Sequence, residues 1–169
     1  MSTINIREST PNDAEKMITL YALLDTETKF MLFEPGERKT TAEKEEKQLE
    51  KITESDHRAV FVAEDQDRIV GFVSGSRPPF FRTEHRFHIV IGIAKSHWRN
   101  GIGFRLMTQI EKWTRDHGAQ RLELTVLAKN KPAIALYERC GFETEGIRRD
   151  SIKHGDSFED ELSMAKLLS

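Results

Sequence analysis

The chain has 169 residues, one cysteine and a net charge of −2, with 37% hydrophobic and 32% charged residues. Such a chain can bury one core, so a single domain over 1–169 is expected. One cysteine excludes an internal disulfide framework, the absence of a basic excess gives no reason to expect a nucleic-acid partner, and no apolar run nears the roughly 18 residues of a membrane span.

The start, Met1-Ser2-Thr3-Ile4-Asn5, lacks a signal-peptide pattern, so the expected setting is cytoplasmic with no membrane partner. Ile4 to Arg7 alternates as a first strand. Thr10-Pro11-Asn12-Asp13 reads as a helix start, with Thr as N-cap, Pro at the first helical position and Asp at the third. The stripe Ala14, Met17, Ile18, Tyr21, Leu24 carries that helix to about Thr28. Lys29 to Gly36 is an apolar loop that either caps the core or walls a pocket. Thr41 to Glu54 is a charged surface helix anchored by Leu49 and Ile52. Ala59–Ala63 and Ile69–Ser74 are strands joined by the turn Asp65-Gln66-Asp67-Arg68. Pro78-Pro79-Phe80-Phe81 breaks the second of them and is either a packed loop or a pocket wall. The fourth strand, Phe87 to Ala94, has apolar residues at both parities, which suits a strand covered on both faces. Gly92 permits a bulge or a close approach there.

The stretch His97-Trp98-Arg99-Asn100-Gly101-Ile102-Gly103-Phe104-Arg105-Leu106 follows, and Ile102, Leu106, Ile110 and Trp113 then recur at near-helical spacing. The pattern is strand, glycine turn, helix. Glycine lets a backbone approach a ligand, and a helix starting there aims unpaired N–H groups at the turn, an arrangement suited to a diphosphate. Arg99 and Arg105 add charge. G-x-G alone also fits a tight turn with no ligand. The dinucleotide fingerprint fails, because its third glycine is Leu106, and the P-loop lacks its closing Gly-Lys-Ser/Thr. The helix runs from about Gly101 to His117, with Gly118 as its cap. A fifth strand spans Arg121–Leu127. A fourth helix runs from Asn130 to near Gly141, and the last two strands cover Phe142–Arg148 and Phe158–Leu168 around the turn His154-Gly155-Asp156.

Two motifs in this order, Trp98-Arg99-Asn100-Gly101-Ile102-Gly103 and then Asn130 with Ala133-Ile134-Ala135-Leu136-Tyr137-Glu138-Arg139-Cys140-Gly141-Phe142, strongly resemble the GCN5-related N-acetyltransferase (GNAT) family. The likeness is good over residues 84–146 and looser at the ends. It implies an α/β fold, a mixed twisted sheet flanked by helices in the order β-α-α-β-β-β-α-β-α-β-β. It also implies acetyl transfer from acetyl-CoA to an amine, a fourth and a fifth strand that splay apart around the pantetheine arm, and a homodimer by family habit. The cofactor contacts implied are the main chain of Ile91 and Ile93, the turn Trp98, Arg99, Asn100, Gly101, Ile102, Gly103 and Phe104, and the side chains of Asn130 and Tyr137. Trp98 stands where the family usually has Arg or Gln; its backbone N–H remains available in this reading.

Tyr137 occupies the family's general-acid position. A phenol with pKa about 10 keeps its proton at neutral pH and can give it to a leaving thiolate. The plain alternative is a core tyrosine beside Ala133 and Ile134. Asn130 is a helix cap, a pantetheine contact, or both. No single base stands out: Glu84, His85, His88 and Glu123 are candidates beside a water relay. Cys140 is expected to be buried and inert. His57, His97, His117 and His154 lack ligand spacing, so no metal is expected. The acceptor expected is a small primary amine. The rivals are a protein N-terminus or lysine, as for the ribosomal-protein acetyltransferases, and a non-catalytic acyl-CoA sensor.

Overall fold

The computed structural model describes residues 3–28 and 30–169. Met1, Ser2 and Lys29 lie outside the described residues, and with them the first residue of the expected Lys29–Gly36 loop. The elements are β1 (Ile4–Glu8), a 3₁₀ turn (Pro11–Asp13), α1 (Ala14–Glu27), α2 (Ala42–Thr53), β2 (Arg58–Asp65), β3 (Arg68–Ser76), β4 (Arg86–Ile93), a second 3₁₀ turn (Lys95–His97), α3 (Ile102–Asp116), β5 (Arg121–Leu127), α4 (Lys131–Arg139), β6 (Glu143–His154) and β7 (Ser157–Leu167). Their order is the one the sequence led us to expect.

Local chemistry sets the boundaries. The Thr10 N–H donates to Asp13 Oδ2 at 2.8 Å, which fixes the entry to α1. The Arg7 guanidinium grips both Asp13 oxygens at 2.8 Å and also reaches Glu64, tying that entry to β1 and β2. Thr41 Oγ1 caps α2 by accepting from the Lys44 N–H at 3.2 Å.

Seven strands form one sheet in the order β1-β2-β3-β4-β5-β7-β6. β4 and β5 run parallel, and the other neighbours are antiparallel. Alternation along β3 separates the two faces. The Phe72 ring meets Tyr21 of α1 edge-on, with centroids 5.3 Å apart. A Cβ on the flanking Gly71 or Gly75 would lie 3.5 Å from Leu106 or 3.0 Å from Ile110 of α3. So α1 covers one face and α3 the other. Leu106 and Ile110 are fully buried, each contributing about 1.5–3 kcal/mol of transfer free energy. Among the described residues no helix is long and apolar enough to cross a membrane.

Two expectations need correction. β4 is not covered on both faces. Phe87 and Ile89 are buried, but His88 and Val90 on the opposite face are exposed; Val90 is 41% exposed. On that face α1 covers the strand only near Gly92, where Leu24 approaches, and His88 and Val90 border an open cleft. β6 does not end at Arg148 but continues to His154. Its register slips between Thr144/Gly146 and Arg148/Ile152, with Asp150 at φ 49°. The irregularity scrambled the two-residue alternation from which its length was read.

Candidate active site

The turn before α3 is braced from three sides. The Lys95 N–H donates to Glu27 Oε2 at 2.7 Å. His97 Nε2 lies 2.8 Å from Asp65 Oδ2, and its Nδ1 lies 2.7 Å from Ser96 Oγ. The Trp98 indole N–H donates to the Ile93 carbonyl at 2.8 Å. The chain then takes two left-handed residues, Arg99 at φ 64° and Gly101 at φ 74°. Beyond them the N–H groups of Gly101, Ile102, Gly103 and Phe104 have no acceptor among the described residues. Bare N–H groups at the positive end of a three-turn-plus helix make an anion cradle. Arg99 is exposed beside it, and the Arg139 guanidinium sits 4.6 Å from the Phe104 ring centroid.

The two glycines differ in their work. Gly101 has open space where a Cβ would stand, and it is needed for its left-handed backbone. A Cβ on Gly103 would come within 2.8 Å of Leu136 Cδ2, so Gly103 lets α3 and α4 pack closely. The Trp98 N–H is also not free, because it donates to the Lys95 carbonyl at 3.2 Å and closes the 3₁₀ turn.

β4 and β5 pair at Arg86↔Arg121, Phe87↔Leu122 and His88↔Glu123, and then separate. The Ala94 N–H donates to Val70 at 2.8 Å, so Ala94 faces β3. By strand alternation the main-chain groups of Ile91 and Ile93 face the gap instead. The Ile93 carbonyl is taken by the Trp98 indole, which leaves both groups of Ile91 and the N–H of Ile93.

Across the gap, Asn130 Oδ1 caps α4 by accepting from the Ala133 N–H at 3.3 Å. Its amide NH₂ has no acceptor among the described residues. Two helical turns on, Tyr137 borders the cleft, is 7% exposed, and has a hydroxyl without a partner among the described residues. Burial, with a small push from Cys140, raises the phenol well above its ordinary value. Cys140 is half-buried, and burial pushes its thiol up as well, away from the thiolate that a nucleophile requires.

The cleft continues past β4 to a chamber lined by Tyr21 of α1, Glu45 of α2, Arg58 of β2 and the segment Phe30–Phe33, and its total volume is about 1020 Å³. The Arg38 guanidinium lies 4.8 Å from the Tyr21 centroid and 4.3 Å from that of Phe33. It is fixed by Asp25 at 2.9 and 3.1 Å. Burial, with Glu45 assisting, pushes the Tyr21 phenol up to about 12.

The acetyltransferase (GNAT) family model matches residues 20–142. The chain belongs to the GNAT acetyltransferase family. An acetyltransferase of GNAT family from Streptococcus pneumoniae is 30% identical, with a TM-score of 0.94 over 99% of this chain and 100% of that one. The L-amino acid N-acetyltransferase AaaT of Escherichia coli is 34% identical over 77 residues, 43% of this chain and 46% of that protein. The ribosomal protein bS18-alanine N-acetyltransferase of the same species is 35% identical over 79 residues, 47% of this chain and 53% of that protein. The chain thus spans about half the length of these curated relatives.

In this GNAT chain the sequence-derived positions Ile91, Ile93, Trp98, Arg99, Gly101, Ile102, Gly103, Phe104, Asn130 and Tyr137 all border one cleft. Asn100 is exposed within the same turn. Of the four base candidates, His88 borders the cleft; Glu84 and His85 do not. Glu123 is held by Arg121 at 2.9 Å and Arg86 at 3.4 Å. The loop Pro78-Pro79-Phe80-Phe81 is no wall: Phe80 and Phe81 are 68% and 87% exposed and stand away from the cleft. The Phe30–Phe33 segment does line it. Sequence reasoning missed Glu45 and Arg58, which had only the look of a solvated charge run and a strand start. Among the described residues no three His, Cys, Asp or Glu side chains gather as metal ligands.

Proposed function

We propose that this chain is an acetyl-CoA-dependent N-acetyltransferase that acetylates the primary amine of a small molecule by direct attack while both substrates are bound. The observation that carries the reading is the continuity of the cleft. One space of about 1020 Å³ runs from the bare N–H groups of α3, past the unpaired edge of β4, to the chamber beside Tyr21. Pockets for small ligands hold roughly 300–1,000 Å³, so this space lies at the upper end, and its length from α3 to α1 suits a long ligand with an acceptor beyond it.

The residues present fit acetyl-CoA. Gly101–Phe104 N–H groups and Arg99 suit its diphosphate, Ile91 offers an amide edge to the pantetheine arm, and the Asn130 NH₂ offers a further donor. When bound, acetyl-CoA supplies an activated acetyl carbonyl at which a C–N bond forms as the C–S bond breaks. The chain does the rest. The burial that raises Tyr137 keeps its phenol protonated, so its Oη holds a proton for the departing sulfur. An alkylammonium has pKa about 10.4 in water and must lose a proton before it attacks. His88 and Glu45 border the cleft and are placed to take that proton directly or through water. One nitrogen proton ends on sulfur and the other is released.

A peptide N-terminus is the second acceptor class, favoured by the likeness to the bS18-alanine enzyme. The wider expectations, a cytoplasmic setting and a homodimer through the C-terminal strands, belong to the same proposal. Thermal stabilisation by CoA, measured beside acetyl-CoA consumption on amines, amino acids and N-terminal peptides, tests the reading. Stabilisation with turnover of a small amine is expected. No stabilisation and no turnover would overturn it.

A further inference from the structure

The acceptor chamber gathers three polar side chains with no partner among the described residues: the Tyr21 hydroxyl, the Glu45 carboxylate and the Arg58 guanidinium. They come from three elements, α1, α2 and β2; the Tyr21 phenol feels the charges of Glu45 and Arg58, and the Glu45 carboxylate feels that of Arg58. Unpartnered charges in a concave, half-buried place are costly unless a ligand answers them. The neighbouring Arg38 is already answered, by Asp25 and by the two rings it packs between. What remains open is one planar cation, one anion and a second, flexible cation, Lys44.

The register gives the scale. Arg58 pairs with Ser76, which pairs with His88. Arg58 therefore stands two strand spacings, about 10 Å, from His88, where the gap between β4 and β5 begins. Its side chain projects from the same face of the sheet as His88. The opposite wall is apolar: Phe30, Met31, Leu32 and Phe33 line it, with Phe30 and Leu32 42% and 77% exposed at the mouth.

We infer that the acceptor is an α-amino acid with an apolar side chain, its carboxylate on Arg58, its ammonium on Glu45 and its side chain against Phe30–Phe33. A guanidinium fork suits a carboxylate in two parallel hydrogen bonds. Polyamines and aminoglycosides do not fit, because their several cations would meet Lys44 and Arg58, and Glu161, the other carboxylate on the cleft, is already held by Ser151 at 2.9 Å and Arg148 at 3.6 Å. A peptide N-terminus has an amide where Arg58 expects a charge. This rests on the acetyltransferase reading above.

The test compares L-methionine, L-leucine and L-phenylalanine with their carboxamides, by release of the CoA thiol, in the full chain and in Arg58→Gln. A peptide with a free N-terminus and thermal stabilisation by CoA run in parallel. The free acids should lead their amides by about tenfold to a hundredfold in kcat/KM. Arg58→Gln should collapse that ratio toward one, chiefly through KM of the acid, and Arg58→Lys should restore part of it. CoA stabilisation of wild-type size reports that each variant is folded. Amides or the peptide turned over as well as the acids, or a ratio unchanged in Arg58→Gln, would overturn the inference and leave acetyl transfer standing. CoA stabilisation without turnover of any free amino acid would overturn it as well. Loss of both stabilisation and turnover in the wild-type chain would remove the acetyltransferase reading itself.

Discussion

Replacing Tyr137 by Phe removes one oxygen from a residue that is otherwise packed. The ring is 7% exposed and stands 6.1 Å from Phe142. Its hydroxyl has no partner among the described residues, so no internal hydrogen bond is lost, and stability should change by less than about 0.5 kcal/mol. CoA should still bind, because the anion cradle lies at the head of α3. The rate should fall. A positioned general acid contributes about 10²–10⁴-fold, or roughly 3–5 kcal/mol of barrier at 1.36 kcal/mol per decade. Burial raises the phenol above its ordinary value of 10.0, so the wild-type enzyme should show no descending limb from Tyr137 below that pH. Steady-state kinetics across pH 6–10, with CoA binding by calorimetry, checks both halves. Equal kcat in the two proteins at every pH would refute the proton-donor role, and a parallel loss of CoA binding would refute the separation of binding from chemistry.

Gly92→Ala places a methyl 2.8 Å from Leu24 Cδ1 and 2.9 Å from Phe72 Cε1, both in the core. Overpacking of this kind costs about 1–3 kcal/mol, and calorimetry should show the melting temperature lowered by about 2–4 °C per kcal/mol. Because Phe72 carries Tyr21, acceptor KM should rise as well. Glu45→Gln should raise the melting temperature at pH 7. Burial lifts this carboxyl above its ordinary value of 4.5, so its destabilising charge is absent below that pH and develops as pH rises through the folded value. The gain should therefore fade on acidification; an equal gain at pH 3 and pH 7 would be contrary. Gly101→Ala meets no atom but must hold φ near 74°, at about 1–2 kcal/mol, and chemical denaturation should report that loss.

The half of the cleft built from the glycine turn and α4 was legible in the sequence because it is local. The turn Trp98–Phe104 and the Asn130–Tyr137 segment are contiguous, and β5 was read at its observed bounds, Arg121–Leu127, because regular alternation has no bulge to blur it. What local pattern could not reveal was assembly. Arg58, Glu45 and Tyr21 meet across three elements distant in sequence, and nothing at any of these positions looks unusual alone. The pair His97–Asp65 joins residues 32 apart. A second role of Gly103, close packing against α4, was hidden for a similar reason: its neighbour Leu136 lies on another helix. Trp98 looked like a weakened anchor, yet its indole braces the turn from within.

The sheet has a seam. Its two halves, β1–β4 and β5–β7–β6, are stitched along their backbones over a short stretch, by the pairs Arg86↔Arg121, Phe87↔Leu122 and His88↔Glu123 and by the Gln120 and Arg121 N–H groups on the His85 carbonyl. Below that short stitch the two halves form an open fork, and Ile91 is left as an internal edge strand. A ligand seated in the fork acts as a missing strand, converting two half-sheets hinged at one end into a continuous plate. On the proposed reading, a cosubstrate in the fork would bridge the two half-sheets and so fix the span between the acceptor chamber and β5.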